Sequence, residues 1–233
     1  MFNAYWEPLD FELPVLGAGA DPWCRWIDTA LDPPNDICDW KSIMISVWSF
    51  GDSKAILRFT APPEVKGVAL LVVNHADRAS DQWMWIPAEE RDRRIALQDR
   101  STRFFGTDFS FEDLEERDVN QFDYKLLGDE AIGGESCWKI ESQPKPSKPS
   151  QYTSSTMWVR KDNYVLARID NFNKDKLIRR ILYTDAENIS GIWTPRTVEV
   201  FDITKDSRTV LKLDKVEYNV PLKDEAFTRD ALR

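Results

Sequence analysis

The chain has 233 residues, with 31 Lys and Arg against 40 Asp and Glu, which gives a formal net charge of −9. Hydrophobic residues make up 42% and include ten Trp, enough apolar surface to offset the entropy of folding, so global disorder is excluded. The acidic balance argues against a nucleic-acid binder. Transmembrane helices are excluded because no apolar run approaches the roughly 20 residues that they need.

The first forty residues are rich in proline and aromatic residues, and we expect an N-terminal extension that packs on the domain. Asp21 and Pro22 predict a short helix that ends by Leu31. The N-terminus shows no secretory signal peptide, so the protein is either cytoplasmic or a periplasmic protein whose signal has been removed. Cys24 and Cys38 could form a disulfide, but three buried free thiols fit the sequence at least as well.

Residues 41–233 are expected to form a single domain made mainly of β-strands. Runs of β-branched and aromatic residues recur about every dozen positions with turn residues between them, which predicts an antiparallel meander. The capping-box pattern of Ser110 and Asp113 predicts a short helix through Leu114 and Glu115. The predicted strands lie at 43–50, 55–60, 68–74, 82–86, 91–97, 124–127, 137–141, 156–160, 165–171, 177–184, 194–203 and 209–219.

The sequence offers little material for catalysis, and we expect no enzyme, metal or cofactor. His75, the single histidine, lies in a polar turn without a nucleophile signature and is interpreted as solvated. The acidic run 112–116 lacks the alternation of a calcium loop and is interpreted as a solvated helix face. The basic run 91–94 is either the solvated face of a sheet or a contact for anionic lipid headgroups or an acidic partner.

Aromatic residues give the strongest signal. They either fill a closed core or line a cavity enclosed by a curled sheet. For the second case we expect the segment Phe104–Leu114 at the mouth of the cavity, with Trp83 and Trp85 on the sheet beneath it. Gly106 permits the backbone to turn back over the sheet. The predicted ligand-binding residues are Trp83, Trp85, Phe104, Phe105, Phe109, Phe111, Leu114 and Trp158.

Several stretches resemble the bacterial outer-membrane lipoprotein-sorting protein family, which is related in fold to the lipoprotein carrier LolA and to LolB. The longest is FGTDFSFEDL at residues 105–114, and APPEVKGVALL at 61–71 and QWMWIP at 82–87 also match. Further matches reach the closing DEAFTRDAL at 224–232, so the resemblance covers roughly residues 43–232. Arg160 stands where the family usually has an acidic residue.

The resemblance implies a curved antiparallel sheet, an incompletely closed LolA-like half-barrel with a few short helices covering its concave face. It also implies a non-enzymatic carrier or sensor that binds a lipid or lipoprotein acyl chain in an apolar periplasmic cavity. A membrane transporter or outer-membrane receptor would be its partner, and we expect a monomer. The alternative is an envelope protein–protein interaction module with a closed core and no ligand.

Overall fold

The computed structural model describes residues 25–31, 36–47 and 52–233, which form thirteen β-strands and six 3₁₀ helices. The strands are β1 (Arg25–Leu31), β2 (Asp36–Val47), β3 (Lys54–Ala61), β4 (Ala69–Val73), β5 (Asp81–Ile86), β6 (Arg91–Arg94), β7 (Phe122–Ile132), β8 (Glu135–Pro144), β9 (Ser154–Arg160), β10 (Leu166–Asn173), β11 (Lys176–Ile189), β12 (Ile192–Asp202) and β13 (Ser207–Leu213). The 3₁₀ helices are η1 (Pro87–Glu89), η2 (Leu97–Asp99), η3 (Glu112–Leu114), η4 (Val119–Gln121), η5 (Asp224–Phe227) and η6 (Asp230–Leu232).

The strands form one antiparallel sheet in the order β6-β5-β4-β3-β2-β1-β13-β12-β11-β10-β9-β8-β7. Strands that are consecutive in the chain lie side by side, except that β1 pairs with β13 at the centre. Within the described part of the chain, β6 and β7 are the two outer strands and do not pair with each other. The predicted mainly β, antiparallel and incompletely closed architecture is therefore confirmed.

The sheet curls around its main core. Eight other strands separate β5 from β9 in the sheet order, which would place them roughly 40 Å apart in a flat sheet at about 4.8 Å per strand. Yet Met84 of β5 and Met157 of β9 belong to the same continuous cluster of buried apolar residues, together with Phe104 and Phe111 of the segment between β6 and β7. We call the face that carries this cluster the concave face.

The outer face is covered at one end by the C-terminal segment. Leu71 of β4 is buried there against Phe227 of η5 and Leu232 of η6. The guanidinium group of Arg58 donates to the carbonyl oxygen of Ala231 at 2.7 Å, which fixes the segment to β3. Strands β3 to β5 are therefore buried on both faces, and this explains why apolar residues stand at successive positions of β4.

The helix predicted between Pro22 and Leu31 is wrong at the residues that the structure describes, because Arg25–Leu31 form strand β1. This strand pairs along its length with β2 on one side and β13 on the other. Backbone pairing with two neighbours outweighs a local capping signal, since helix propensity is a weak preference that tertiary context overrides. Residues 1–24, which hold most of the predicted extension and Cys24, lie outside the described residues, as do residues 48–50 of the predicted strand 43–50.

The short helices that the resemblance implies on the concave face are not confirmed as a helical cover. In the described ranges the helical elements are 3₁₀ turns of three or four residues, and η5 and η6 lie on the outer face. The short helix predicted through Leu114 is the single turn η3, and the backbone of Ser110 and the side chain of Asp113 bond as the capping-box pattern predicts. None of the described helices is long and apolar enough to cross a bilayer.

Candidate functional site

The segment of residues 97–121 crosses the concave face, and we call it the covering segment. Phe104 is 1% exposed, and its ring stacks on Phe59 of β3 at 5.6 Å and contacts Phe111 edge-on at 5.5 Å. The backbone reverses at Phe105 and Gly106, which both have positive φ angles, so that the amide of Phe104 donates to the carbonyl of Phe109 at 2.8 Å. As expected, Gly106 lies at the point where the chain turns back, in a conformation that favours glycine.

Asp113 holds the covering segment to the middle of the sheet. Its Oδ2 lies 2.7 Å from Nη1 of Arg179 on β11, and its Oδ1 accepts a hydrogen bond of 2.7 Å from the hydroxyl of Tyr152. All three side chains are buried. Burial alone would lower the pKa of Arg179, but the charge of Asp113 and the contact with Tyr152 outweigh it and raise that pKa. Arg179 therefore remains a cation inside the protein.

Glu115 makes a second anchor, with Nη1 of Arg100 and Nζ of Lys148 each 2.8 Å from its carboxylate oxygens. Gln82 of β5 donates to Glu115 at 3.1 Å and to the carbonyl of Phe111 at 2.9 Å. The acidic run 112–116 was interpreted as a solvated helix face, and that interpretation is wrong. The carboxylates of Asp113 and Glu115 point inward because buried basic side chains compensate them.

A third anchor joins the tip of the covering segment to β13. The hydroxyl of Thr209 donates to Oδ2 of Asp108 at 2.8 Å and also lies 2.8 Å from the backbone N–H of Asp108, which donates to it. Both residues are buried. With three polar anchors, the segment is pinned to β5, β11 and β13. It forms a fixed wall rather than a free loop.

A partly enclosed cavity of about 120 Å³ lies between the covering segment and the concave face. Its lining is apolar on the side of strands β10 to β13 and polar near the start of β3 and the end of β4. The lining residues are Met44, Ser46, Ser53, Lys54, Ala55, Asn74, Phe109, Asp113, Leu114, Glu115, Glu116, Val165, Leu166, Ile181, Tyr183, Thr194, Pro195, Val198 and Leu213. Thr194 is satisfied by Tyr218, whose hydroxyl lies 2.6 Å from its Oγ1.

Ser53, Asn74 and Glu116 bond to one another at one end of the cavity, and we call them the polar corner. Nδ2 of Asn74 donates to Oγ of Ser53 at 2.8 Å, and the Ser53 hydroxyl donates to Oε2 of Glu116. The backbone N–H of Glu116 donates to Oδ1 of Asn74 at 3.3 Å. Burial raises the pKa of Glu116, and the Ser53 bond opposes that rise only in part.

The structure brings together five of the eight predicted site residues. Phe104, Phe105, Phe109, Phe111 and Leu114 belong to the cluster on the concave face. Phe109 and Leu114 also line the cavity, whereas the other three pack behind them. A role in ligand binding stays a prediction for all five.

Trp83 and Trp85 do not lie beneath the covering segment, so that placement is wrong. Their side chains are on the outer face, in the cluster that includes Phe227, and Arg233 lies 5.7 Å above the ring of Trp85. The alternation that put the two Trp on one face of β5 is correct, but the concave face of that strand carries Met84. The sequence alone cannot tell which face of β5 is concave, because both faces of this strand carry apolar side chains.

Trp158 lies outside the cavity as well, contrary to its predicted grouping with the site residues. It packs with Cys137 and Ala167, and the guanidinium carbon of Arg168 lies 4.4 Å from its ring centre. Its neighbours Met157 and Val159 are the residues of β9 that face the main core. Cys137 is a buried free thiol, while the proposed partner Cys24 of a Cys38 disulfide is outside the described residues.

Sequence reasoning missed the aliphatic wall of the cavity. Leu166, Ile181, Val198 and Leu213 line it from four successive strands of the sheet order. Each occupies an alternating apolar position of its strand, which was the available signal.

His75 is not the solvated turn residue that the sequence suggested. Its side chain is largely buried, and its Nε2 lies 3.1 Å from Oδ2 of Asp81, which also accepts a bond from Arg78 at 2.7 Å. The basic run 91–94 forms the exposed edge strand β6 and pairs with nearby acids, including Glu89, which lies 2.8 Å from Arg91. In the described ranges, His, Cys, Asp and Glu side chains do not group in threes that could hold a metal ion.

Comparison with known proteins gives one match to a family model. A model described as "Uncharacterized protein" matches residues 51–233, which is most of the chain. No curated protein matches the chain. The match includes the whole covering segment and both edge strands of the sheet.

Solved structures share the fold over nearly the full chain. A protein of the DUF1329 family from Desulfovibrio piger is 29% identical with a TM-score of 0.86, covering 91% of this chain and 90% of that one. An outer-membrane lipoprotein-sorting protein domain from Vibrio parahaemolyticus is 23% identical with a TM-score of 0.85, at 90% and 89% coverage. A LolA-superfamily protein from Nitrosomonas europaea is 19% identical with a TM-score of 0.71, at 95% and 91% coverage.

Proposed function

The chain belongs to the family whose model covers residues 51–233 and has the LolA-like fold of outer-membrane lipoprotein-sorting domains, and on that premise we propose that it is a non-enzymatic lipid carrier or sensor. In this proposal it binds a lipid or the acyl chain of a lipoprotein in the periplasm, as a monomer. A membrane transporter or an outer-membrane receptor would deliver or accept the ligand.

The observation that carries the proposal is the apolar wall of the cavity on the concave face. Leu166, Ile181, Val198 and Leu213 leave space against Phe109 in a region where a protein core is normally close-packed. Each methylene that moves from water into such a site gains about 0.8 kcal/mol. A few methylenes are therefore enough for measurable binding without specific polar contacts.

The size of the cavity implies that it widens to accept a whole acyl chain. An engineered apolar cavity of about 150 Å³ holds one benzene ring, so a space of about 120 Å³ fits only a short stretch of alkyl chain. Because the polar anchors hold the covering segment at Asp108, Asp113 and Glu115, we expect rearrangement of Phe109 and Leu114 between the anchors. Ligand binding would then shift a pre-existing equilibrium toward the wider state.

Binding of a neutral fluorescent alkyl probe tests the proposal. Val198→Phe fills the cavity and should weaken binding about tenfold, the equivalent of two buried methylenes. Val119→Phe makes the same change at a residue that is 49% exposed, and should bind like the parent. Leu213→Phe, at a half-buried rim position, provides a second filling variant if Val198→Phe does not fold.

Circular dichroism and urea midpoints show that each variant is folded before binding is compared. Absence of binding by the parent protein, or equal binding by parent and folded filling variants, would contradict the proposal.

One observation favours the alternative of a protein-interaction module. The edge strand β7 exposes Leu126, at 62%, and Leu127, at 45%, next to a strand edge that pairs with no other described strand. A peptide strand could add to such an edge through backbone hydrogen bonds. Mass spectrometry of an organic extract separates the two candidates, since a carrier should co-purify with near-stoichiometric lipid and a closed module should not.

A further inference from the structure

The acids that line the cavity differ in how their charge is compensated. Asp113 is paired with Arg179, and Glu115 is paired with two basic side chains. Glu116 is different, since no basic side chain among the described residues lies within ion-pairing distance of its carboxylate. Among the described residues its compensation comes from Ser53, whose hydroxyl donates to Oε2 and whose backbone also hydrogen-bonds to the carboxyl group.

Two side-chain hydrogen bonds of the polar corner run in sequence toward the carboxylate of Glu116. Asn74 donates to Ser53, and Ser53 donates to Oε2 of Glu116. A carboxylate has room for about four hydrogen bonds, so Glu116 keeps acceptor capacity at the edge of an apolar cavity.

Lys54, the basic residue of the cavity lining, does not pair with Glu116. Nζ of Lys54 lies 3.7 Å from Oδ1 of Asp224, which precedes the outer-face residues of η5. Its charge is therefore drawn toward the outer face. Burial raises the pKa of Glu116, as expected for a carboxyl group whose charge is poorly compensated.

We propose that the cavity selects amphiphiles with a protonated amine at the head of the alkyl chain. The ammonium group would donate to Glu116, while the chain lies against the aliphatic wall that includes Ile181 and Val198. An anionic head at the same position would be repelled, since like charges in a partly buried site are destabilising. This specificity rests on the proposed lipid-binding function and names its ligand class.

The test uses the full chain and displacement of a neutral fluorescent alkyl probe. Dodecylammonium and dodecanoate carry alkyl chains of matched length, and the parent protein should bind dodecylammonium about tenfold more tightly or better. Glu116→Gln keeps the shape of the side chain but removes its charge, and it should abolish that preference. Glu116→Asp keeps the charge and should retain much of the preference.

Glu187→Gln is the matched control, because Glu187 lies on β11 with a side chain that is 61% exposed, and it should bind both amphiphiles like the parent. Butylammonium should bind far more weakly than dodecylammonium, since it lacks the apolar chain. If the parent binds both dodecyl amphiphiles equally, or if folded Glu116→Gln keeps the preference, this inference is overturned while lipid binding stands. If neither dodecyl amphiphile binds, the proposed function itself fails.

Discussion

Arg179 on β11 and Asp113 in η3 form a buried ion pair, with 2.7 Å between Nη1 and Oδ2. The pair joins the centre of the sheet to the covering segment, and the neighbouring Leu114 forms part of the cavity wall. The same contact therefore contributes to the stability of the fold and to the shape of the cavity. Variants of the covering segment and of its partners therefore test both the stability of the fold and the shape of the cavity.

Arg179→Met should destabilise the protein by about 3–5 kcal/mol, because it leaves the carboxylate of Asp113 buried without its partner. Arg208→Met is the control, since Arg208 is half exposed and lies 3.3 Å from Glu199. An exposed pair contributes only about 0–1 kcal/mol. Urea denaturation measures the free energy of unfolding of both variants. Equal losses of stability in the two variants would show that burial does not make the Arg179 pair more stabilising than an exposed pair.

Lowering the pH should remove the contribution of Asp81 to the stability of the folded state. Burial would raise its pKa, but hydrogen bonds from Arg78, Arg94 and His75 outweigh burial and lower the pKa from 3.8 to about 2. A lowered carboxyl pKa stabilises the folded state above pH 3.8, and this contribution disappears as the pH falls toward 2. Asp81→Asn should therefore be less stable than the parent at pH 7, by about 1–2 kcal/mol, and nearly equal to it close to pH 2.

Urea midpoints across this pH range check the prediction for Asp81. Asp77→Asn, an exposed change in the same loop, is the charge-matched control and should follow the parent throughout. A constant difference between Asp81→Asn and the parent at every pH would contradict the assignment.

Phe104→Ala should cost about 3–5 kcal/mol, because the side chain is 1% exposed and packs among other aromatic rings. Leu126→Ala removes an apolar side chain from the exposed edge strand β7 and should change stability by no more than about 0.5 kcal/mol. Thermal or urea unfolding compares the two. A small effect at Phe104 would mean that the aromatic cluster is not the core of the concave face.

Trp85→Ala should loosen the C-terminal segment and leave ligand binding unchanged. Trp85 packs on the outer face with Phe227 and Leu232, away from the cavity. Hydrogen exchange should therefore increase at residues 222–233, while the affinity for an alkyl probe stays within about twofold of the parent. Loss of probe binding with an intact C-terminal segment would return Trp85 to the site that the sequence had suggested.

Much of the fold could be predicted from the sequence. Runs of β-branched and aromatic residues separated by turn residues located the strands from β3 to β13. The resemblance of FGTDFSFEDL at 105–114 to the lipoprotein-sorting family is confirmed by the match of fold. Strand β1 was predicted as a helix, because Asp21 and Pro22 are a local signal whereas pairing with β13 is set by residues almost 190 positions away. A short window of sequence therefore cannot show that a strand pairs with another strand far away in the chain.

The candidate site was predicted only in part, for two physical reasons. Strand β5 is apolar on both faces, so Trp83 and Met84 could not be assigned to the concave or the outer face without knowing where the C-terminal segment packs. The acids Asp113 and Glu115 are buried because Arg179 and Arg100 compensate them, and these partners come from distant or irregular parts of the chain. A run of acidic residues indicates exposed side chains only when no buried basic side chain pairs with them.

The most direct test of the central claim is to locate a bound alkyl chain by NMR of methyl-labelled protein. Titration with a dodecyl amphiphile should shift the methyl signals of Leu166, Ile181, Val198 and Leu213, which line the cavity. The methyl signals of Ile56 and Leu71, which lie on the outer face, should stay in place. Shifts confined to the outer-face methyls, or no shifts at saturating amphiphile, would contradict the assignment of the concave cavity as a lipid-binding site.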